Sequence, residues 1–112
     1  MNIETFIGNW IAISNTFDTE KYLDFYLPDA VLYDPSVGET FENHKGIKEY
    51  FERYFIDYHT YIKQIDLKVI DEDNAYLEVI FTGDFPERKI GGTFEFKFKD
   101  KKISFIKADL SN

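Results

Sequence analysis

The sequence predicts a single α+β domain in which three helices cover one face of a strongly curved, mainly antiparallel sheet. Three observations carry that prediction. Apolar residues recur at the three- and four-residue steps of a helix as far as Tyr58, and from Tyr61 onward they alternate at the period of a strand. Gly83, Gly91 and Gly92 fall inside the alternating runs, where long strands need bulges to curve. At 112 residues the chain holds one domain, residues 1–112, with a real core and no room for two.

The first helix is expected over residues 3–17, where Ile3, Phe6, Ile7, Trp10, Ile13 and Phe17 form one apolar stripe. A second, shorter helix starts at Asp18, an N-cap residue type, carries Tyr22, Leu23, Phe25 and Tyr26, and is closed by Pro28. A short strand from Ala30 to Asp34 follows, then an irregular loop with Pro35 and Gly38. Asn43 or His44 opens the third helix, and Asn suits either an N-cap or a positive-φ position just before one. Ile47, Tyr50, Phe51, Tyr54, Phe55 and Tyr58 make its buried face, with Lys48–Glu52 and Glu49–Arg53 as exposed pairs opposite.

Four long strands complete the chain. In "YIKQIDLKVI" Ile65, Leu67 and Val69 oppose Gln64, Asp66 and Lys68; "DEDN" then turns. "AYLEVIFTGDF" places Ala75, Leu77, Val79 and Phe81 on one side, and "TFEFKFK" does the same with Phe94, Phe96 and Phe98. In "ISFIKADL" two apolar sets, Ile103 with Phe105 and Ile106 with Ala108 and Leu110, compete for the inward side, which suggests a bulge. One sheet face should meet the helices and the other should be half-solvated. Ile62, Ile70, Tyr76, Ile80 and Phe105 interrupt that otherwise polar face, so a homodimer through it is expected.

Composition narrows the function classes. A formal charge of −8 repels phosphate backbones, which argues against nucleic acid as a partner. The chain has no cysteine, so it can form neither a disulfide framework nor a thiolate metal site. "MNIETFIGNWIAI" lacks a basic start and a continuous apolar run, and no segment is long enough for a bilayer, so a cytoplasmic protein without membrane contact is expected. His44 and His59 lack the spacing of a metal pair, and no metal or other cofactor is expected.

One segment goes further. Trp10 to Phe51 contains Tyr26, Asp29, Ala30, Asp34, Pro35, Asn43, Ile47, Tyr50 and Phe51 in the order "F/Y-x-x-DA…DP-x-x-G…I-x-x-(F/Y)-(F/Y)". This pattern resembles the N-terminal half of bacterial ketosteroid isomerases and the related SnoaL-type polyketide cyclases, within the nuclear transport factor 2-like superfamily. Past Ile62 only the alternation and the strand count match. The resemblance implies a cone, in which the sheet curls around the helices and leaves a deep apolar cavity. It also implies that Asp34, at the end of the first strand, stands where the isomerases hold their general base.

The isomerases pair that base with an oxyanion hole made by a tyrosine and a protonated aspartic acid. On the resemblance, the oxyanion tyrosine corresponds to Trp10, a supporting tyrosine to Phe51 and the oxyanion aspartic acid to Phe94. Losing one such donor typically costs about 3–4 kcal/mol, so true ketosteroid isomerisation is not expected. Asp34 has two readings: a cavity carboxylate that moves a proton, or an Asx-turn residue before proline. Trp10, Tyr26, Phe51, Tyr54, Leu67, Phe81, Phe94 and Phe96 are expected to surround or fill the space beside it. Two function classes follow: a cofactor-independent isomerase, cyclase or hydratase acting on a small hydrophobic molecule, or a non-catalytic member that binds a ligand or a partner domain.

Overall fold

The computed structural model describes residues 1–111. Helix α1 spans Ile3–Ser14, and the Asn2 side chain caps it by accepting from the Thr5 amide at 2.9 Å. It stops three residues before the expected end because Phe17 takes a φ of +60°, a conformation no helix can contain. Helix α2 spans Thr19–Leu23, with Asp18 as the expected cap, accepting from the Lys21 amide at 3.1 Å.

Strand β1, Tyr26–Asp34, begins four residues earlier than expected, so Tyr26 belongs to the sheet and not to the second helix. Pro28 therefore lies inside a strand rather than closing a helix. It has no N–H to donate, and the pairing of this strand is irregular between Tyr26 and Val31. The His44 imidazole steadies that stretch by donating Nε2–H to the Tyr26 carbonyl at 2.9 Å. Strand β2, Glu39–Glu42, occupies the segment expected to be a loop and pairs antiparallel with β1, Asp34 opposite Glu39.

Helix α3 spans Asn43–Phe51, and Asn43 does sit at positive φ, +65°. The expected α-helix to Tyr58 ends at Phe51 and continues as a π-helical turn, Glu52–Ile56. The five-residue bonds Asp57 N–H to Glu52 O (3.0 Å) and Thr60 N–H to Phe55 O (2.8 Å) extend it. Strands β3 (Tyr61–Asp71), β4 (Asn74–Thr82), β5 (Lys89–Lys99) and β6 (Lys102–Ser111) follow.

The six strands form one strongly curled, mixed sheet in the order β2-β1-β6-β5-β4-β3. Among the described residues only the β1–β6 pair is parallel; the last four strands pair antiparallel throughout. The register shift in β6 falls at Ser104, because Lys97 pairs with Phe105 and Phe98 with Ile103. That bulge puts Ile103, Ile106 and Ala108 inward and resolves the competition between the two apolar sets. The glycines behave otherwise than expected. Pairing between β4 and β5 runs without a shift past Gly91 and Gly92, and the remaining long-strand irregularities lie in β3.

Aromatic contacts hold helices to sheet. The Trp10 ring meets Phe94 and Phe96 edge-on at 5.0 and 5.1 Å, and Tyr22 stacks on Phe51 at 3.9 Å. The Asn15 amide binds both backbone groups of Ile62, accepting from N–H at 2.7 Å and donating to C=O at 3.0 Å. It thereby occupies part of the open edge of β3. Ile62 is accordingly buried at 4% exposure and leaves the outer-face set proposed for a dimer. No helix among the described residues is long and apolar enough to cross a membrane.

Candidate functional site

Asp34 ends β1 next to the C-terminal end of β6, where the curled sheet opens. Beside it lies a pocket of about 260 Å³. Its floor is buried: Asp34, Tyr50, Phe55, Thr60 and Phe81 are all under 8% exposed. Tyr54, Phe85 and Ile90 form the walls, and Val37, Tyr58, Glu87 and Leu110 the mouth.

The π-helical turn shapes one wall. A wider turn carries an extra residue per repeat, and such turns concentrate at functional sites. Here it brings Tyr54, Phe55 and Tyr58 all to the pocket, while Phe51 one turn earlier stays in the core. Across the pocket, Gly92 makes room for Phe81. A Cβ at Gly92 would lie 2.2 Å from a Phe81 ring carbon and 3.0 Å from the Asp109 carbonyl oxygen.

The Asp34 carboxylate closes an Asx turn and also lines the pocket. Oδ1 accepts from the Ser36 amide at 2.9 Å and from the Ser36 hydroxyl, closing an Asx turn over Pro35. Among the described residues Oδ2 accepts no hydrogen bond, and no fully buried side-chain polar atom lacks a partner. Oδ2 therefore touches the pocket space. Burial pushes the Asp34 pKa up; the Ser36 hydroxyl and amide and the Val37 amide oppose that, and Asp109 reinforces it. Desolvation wins.

Tyr50 is the second such group. Its ring is 4% exposed, packs against Phe41 and Tyr54, and among the described residues its hydroxyl has no hydrogen-bond partner. Burial, then the nearby Asp34 charge, hold its pKa well above the ordinary phenol value. It is a neutral donor at physiological pH. From sequence alone Tyr50 belongs to the buried face of the third helix, since helical spacing does not show which hydroxyl lacks a partner.

Of the other residues expected around the site, Tyr54 and Phe81 line the pocket. Trp10, Tyr26, Phe51, Phe94 and Phe96 fill the core behind it, each at 1% exposure or less, and Leu67 packs against that core from β3. The Trp10 indole donates to the Tyr26 hydroxyl at 3.3 Å, and Tyr26 donates to Tyr22 at 2.7 Å. The indole N–H is thus taken up inside the core and does not reach the pocket. Phe51 and Phe94 carry no donor. Residues that the sequence reading did not place here include, besides Phe55 and Leu110 on regular elements, Ser36, Val37, Thr60, Phe85, Glu87 and Ile90. Most lie in turns, where periodicity carries no signal. Among the described residues no three metal-ligating side chains converge.

Solved structures share this architecture at low identity. A candidate polyketide cyclase from Sinorhizobium meliloti superposes with a TM-score of 0.83 at 20% identity, over 93% of each chain. The epoxide hydrolase/cyclase-like enzyme SalBIII, with a role in pyran ring formation in the polyether salinomycin, gives 0.84 at 16% identity, over 96% of this chain and 89% of its own. A de novo designed protein with a curved β-sheet gives 0.81 at 16% identity, over 99% of this chain and 88% of its own. The fold therefore occurs with and without a natural activity, and function must be argued from the pocket. No curated protein matches the chain in sequence. The family model of the SnoaL-like domain matches residues 7–106, from within α1 to the inward Ile106 of β6, and the chain belongs to that family.

Proposed function

We propose that this is a cytoplasmic protein that binds a small, largely apolar molecule in the pocket and moves a proton on it with Asp34. The observation that supports this best is the meeting of two unpartnered polar atoms, Asp34 Oδ2 and Tyr50 Oη, in one apolar pocket. A carboxylate with a raised pKa works as acid or base closer to neutral pH. A neutral phenol beside it can donate to the oxygen or nitrogen where charge develops. Asp34 takes the proton while its Oδ1 is held by Ser36, which fixes the orientation of Oδ2. The chemistry is of the isomerase, cyclase or hydratase type, without the ketosteroid isomerase donor set.

A thermal-shift screen with lipophilic ketones, followed by α-proton exchange in D2O, tests this reading. The expected result is a stabilised protein that exchanges the α-protons of a bound ketone, and an Asp34→Asn variant that does not. Stabilisation without exchange supports the second reading, a non-catalytic binder, which the apolar residues Phe51 and Phe94 at the isomerases' donor positions favour. A homodimer through the outer sheet face, with Tyr76, Ile80 and Phe105 at its centre, belongs to the same proposal.

A further inference from the structure

We propose that the pocket's ligand is a small organic cation, an amine, iminium or quaternary ammonium with apolar substituents. This rests on the binding reading above and narrows it to a substrate class. Six of the thirteen lining residues are aromatic, two are carboxylates, and none is lysine, arginine or histidine. Tyr50, Phe55 and Phe81 form an aromatic floor around the free Asp34 oxygen, and Tyr58 and Phe85 stand nearer the mouth with Glu87. The face of an aromatic ring attracts a cation, more strongly once the cation is desolvated. A carboxylate at the floor adds a direct ion pair, in a site where burial weakens screening.

An anionic ligand meets the opposite situation. Asp34, Glu87 and the neighbouring Asp109 would repel a ligand that brings its own negative charge. Arg53 lies outside the lining and is held by Glu39 at 3.3 Å and by Glu49. A ligand that carries its own positive charge removes the need for an oxyanion hole. When Asp34 takes a proton from the carbon beside a C=N⁺ group, the C–H electron pair becomes a C=C bond. The C=N π pair moves onto nitrogen, and the product is a neutral enamine with the proton on Asp34.

Charge also makes binding pH-dependent. The groups facing Asp34 are Tyr50 from α3, Asp109 from β6, Glu39 from β2 and Glu87 at the mouth, and none of them is cationic. A bound cation favours the ionised carboxylate and lowers the Asp34 pKa. Cation affinity is therefore full above the pKa of the empty site and falls as pH drops through it.

Choline and its uncharged carbon isostere, 3,3-dimethylbutan-1-ol, isolate the charge. Their dissociation constants come from NMR titration of the amide and tyrosine ring signals of residues 34–37 and 50–60. The expected result is at least a tenfold preference for choline at pH 7, which decays as pH falls. Asp34→Asn should bring the preference close to one, and Tyr58→Leu should reduce it several-fold. Equal affinities, a preference for the alcohol, or a preference independent of pH overturns the cation assignment. Saturable binding of the alcohol alone leaves the apolar-pocket reading standing without it, and binding of neither probe removes both.

Discussion

At Asp34 a turn acceptor and a pocket-lining carboxylate oxygen coexist in one side chain, because its oxygens do different things. Oδ1 satisfies the turn and Oδ2 faces the pocket. An Asn retains the turn acceptor and removes the buried charge, so Asp34→Asn should fold as well as the parent or better. The sign follows from the raised pKa. The folded state holds the proton longer than the unfolded chain, so the parent loses stability as pH rises from about 3.9, the unfolded value, through the folded pKa. The melting-temperature gain of the variant should grow across that window and then level off; a gain independent of pH would remove the burial argument. Any proton-transfer rate should fall by about 100-fold or more. Tyr50→Phe should leave the melting temperature nearly unchanged, since the hydroxyl has no protein partner, while lowering turnover by about 100-fold or more. Asp34 was legible in the sequence because the Asp-Pro strand ending marks it. Tyr50 was not singled out, because four tyrosines and phenylalanines share its helical face and only the packing shows which hydroxyl is left over.

At the level of elements, the alternating strands and the starts of all three helices were readable from spacing and cap-type residues. Two of the misses share one cause: hydrogen bonds made between segments distant in sequence. Strand β2 is only Glu39–Glu42, too short for a period, and exists because β1 offers it partners. Tyr26 left the predicted helix because strand pairing and the His44 bond hold its backbone extended. Gly92 was noticed, but as a site of curvature and not as the place where a ring rests on a backbone. Gly92→Ala should therefore destabilise by about 1–3 kcal/mol through overpacking against Phe81, measured by urea unfolding, and Phe81→Leu should restore much of the loss. Asn15→Ala should cost about 1–3 kcal/mol as well, since it leaves buried Ile62 backbone groups without partners. A change below half a kcal/mol would mean that water replaces the amide freely.

For the whole molecule, the family and the curled sheet were legible because a local motif and a global alternation agree. The position and size of the pocket were not, because they depend on how tightly the aromatic core packs. That core fills the space behind Asp34 with Trp10, Phe51, Phe94 and Phe96, and pushes the open volume toward the turns. The outer sheet face tests the dimer. Tyr76, Ile80 and Phe105 are half-buried there among Glu78, Glu95 and Lys97, and Lys107 bridges to Glu95 at 3.6 Å. Light scattering at micromolar concentration should give twice the mass of one chain, about 26.6 kDa against 13.3 kDa, and Phe105→Glu should return it to the monomer. A monomeric parent would retire that interface.

The sheet order has a consequence for synthesis. Among the described residues, strand β6 is the sheet's last strand in sequence, sits between β1 and β5, and is the only strand that pairs the β2-β1 ribbon to the β5-β4-β3 meander. Until residues 102–111 emerge from the exit tunnel, the nascent chain can form a hairpin on one side and a meander on the other but cannot unite them into one sheet. Both half-sheets then wait with open edges, β1 on one and β5 on the other, each a template for a neighbouring polypeptide. The sheet is completed only once β6 has been translated, and a stop codon between Lys99 and Lys102 would release two unjoined, aggregation-prone half-sheets instead of a slightly shortened domain.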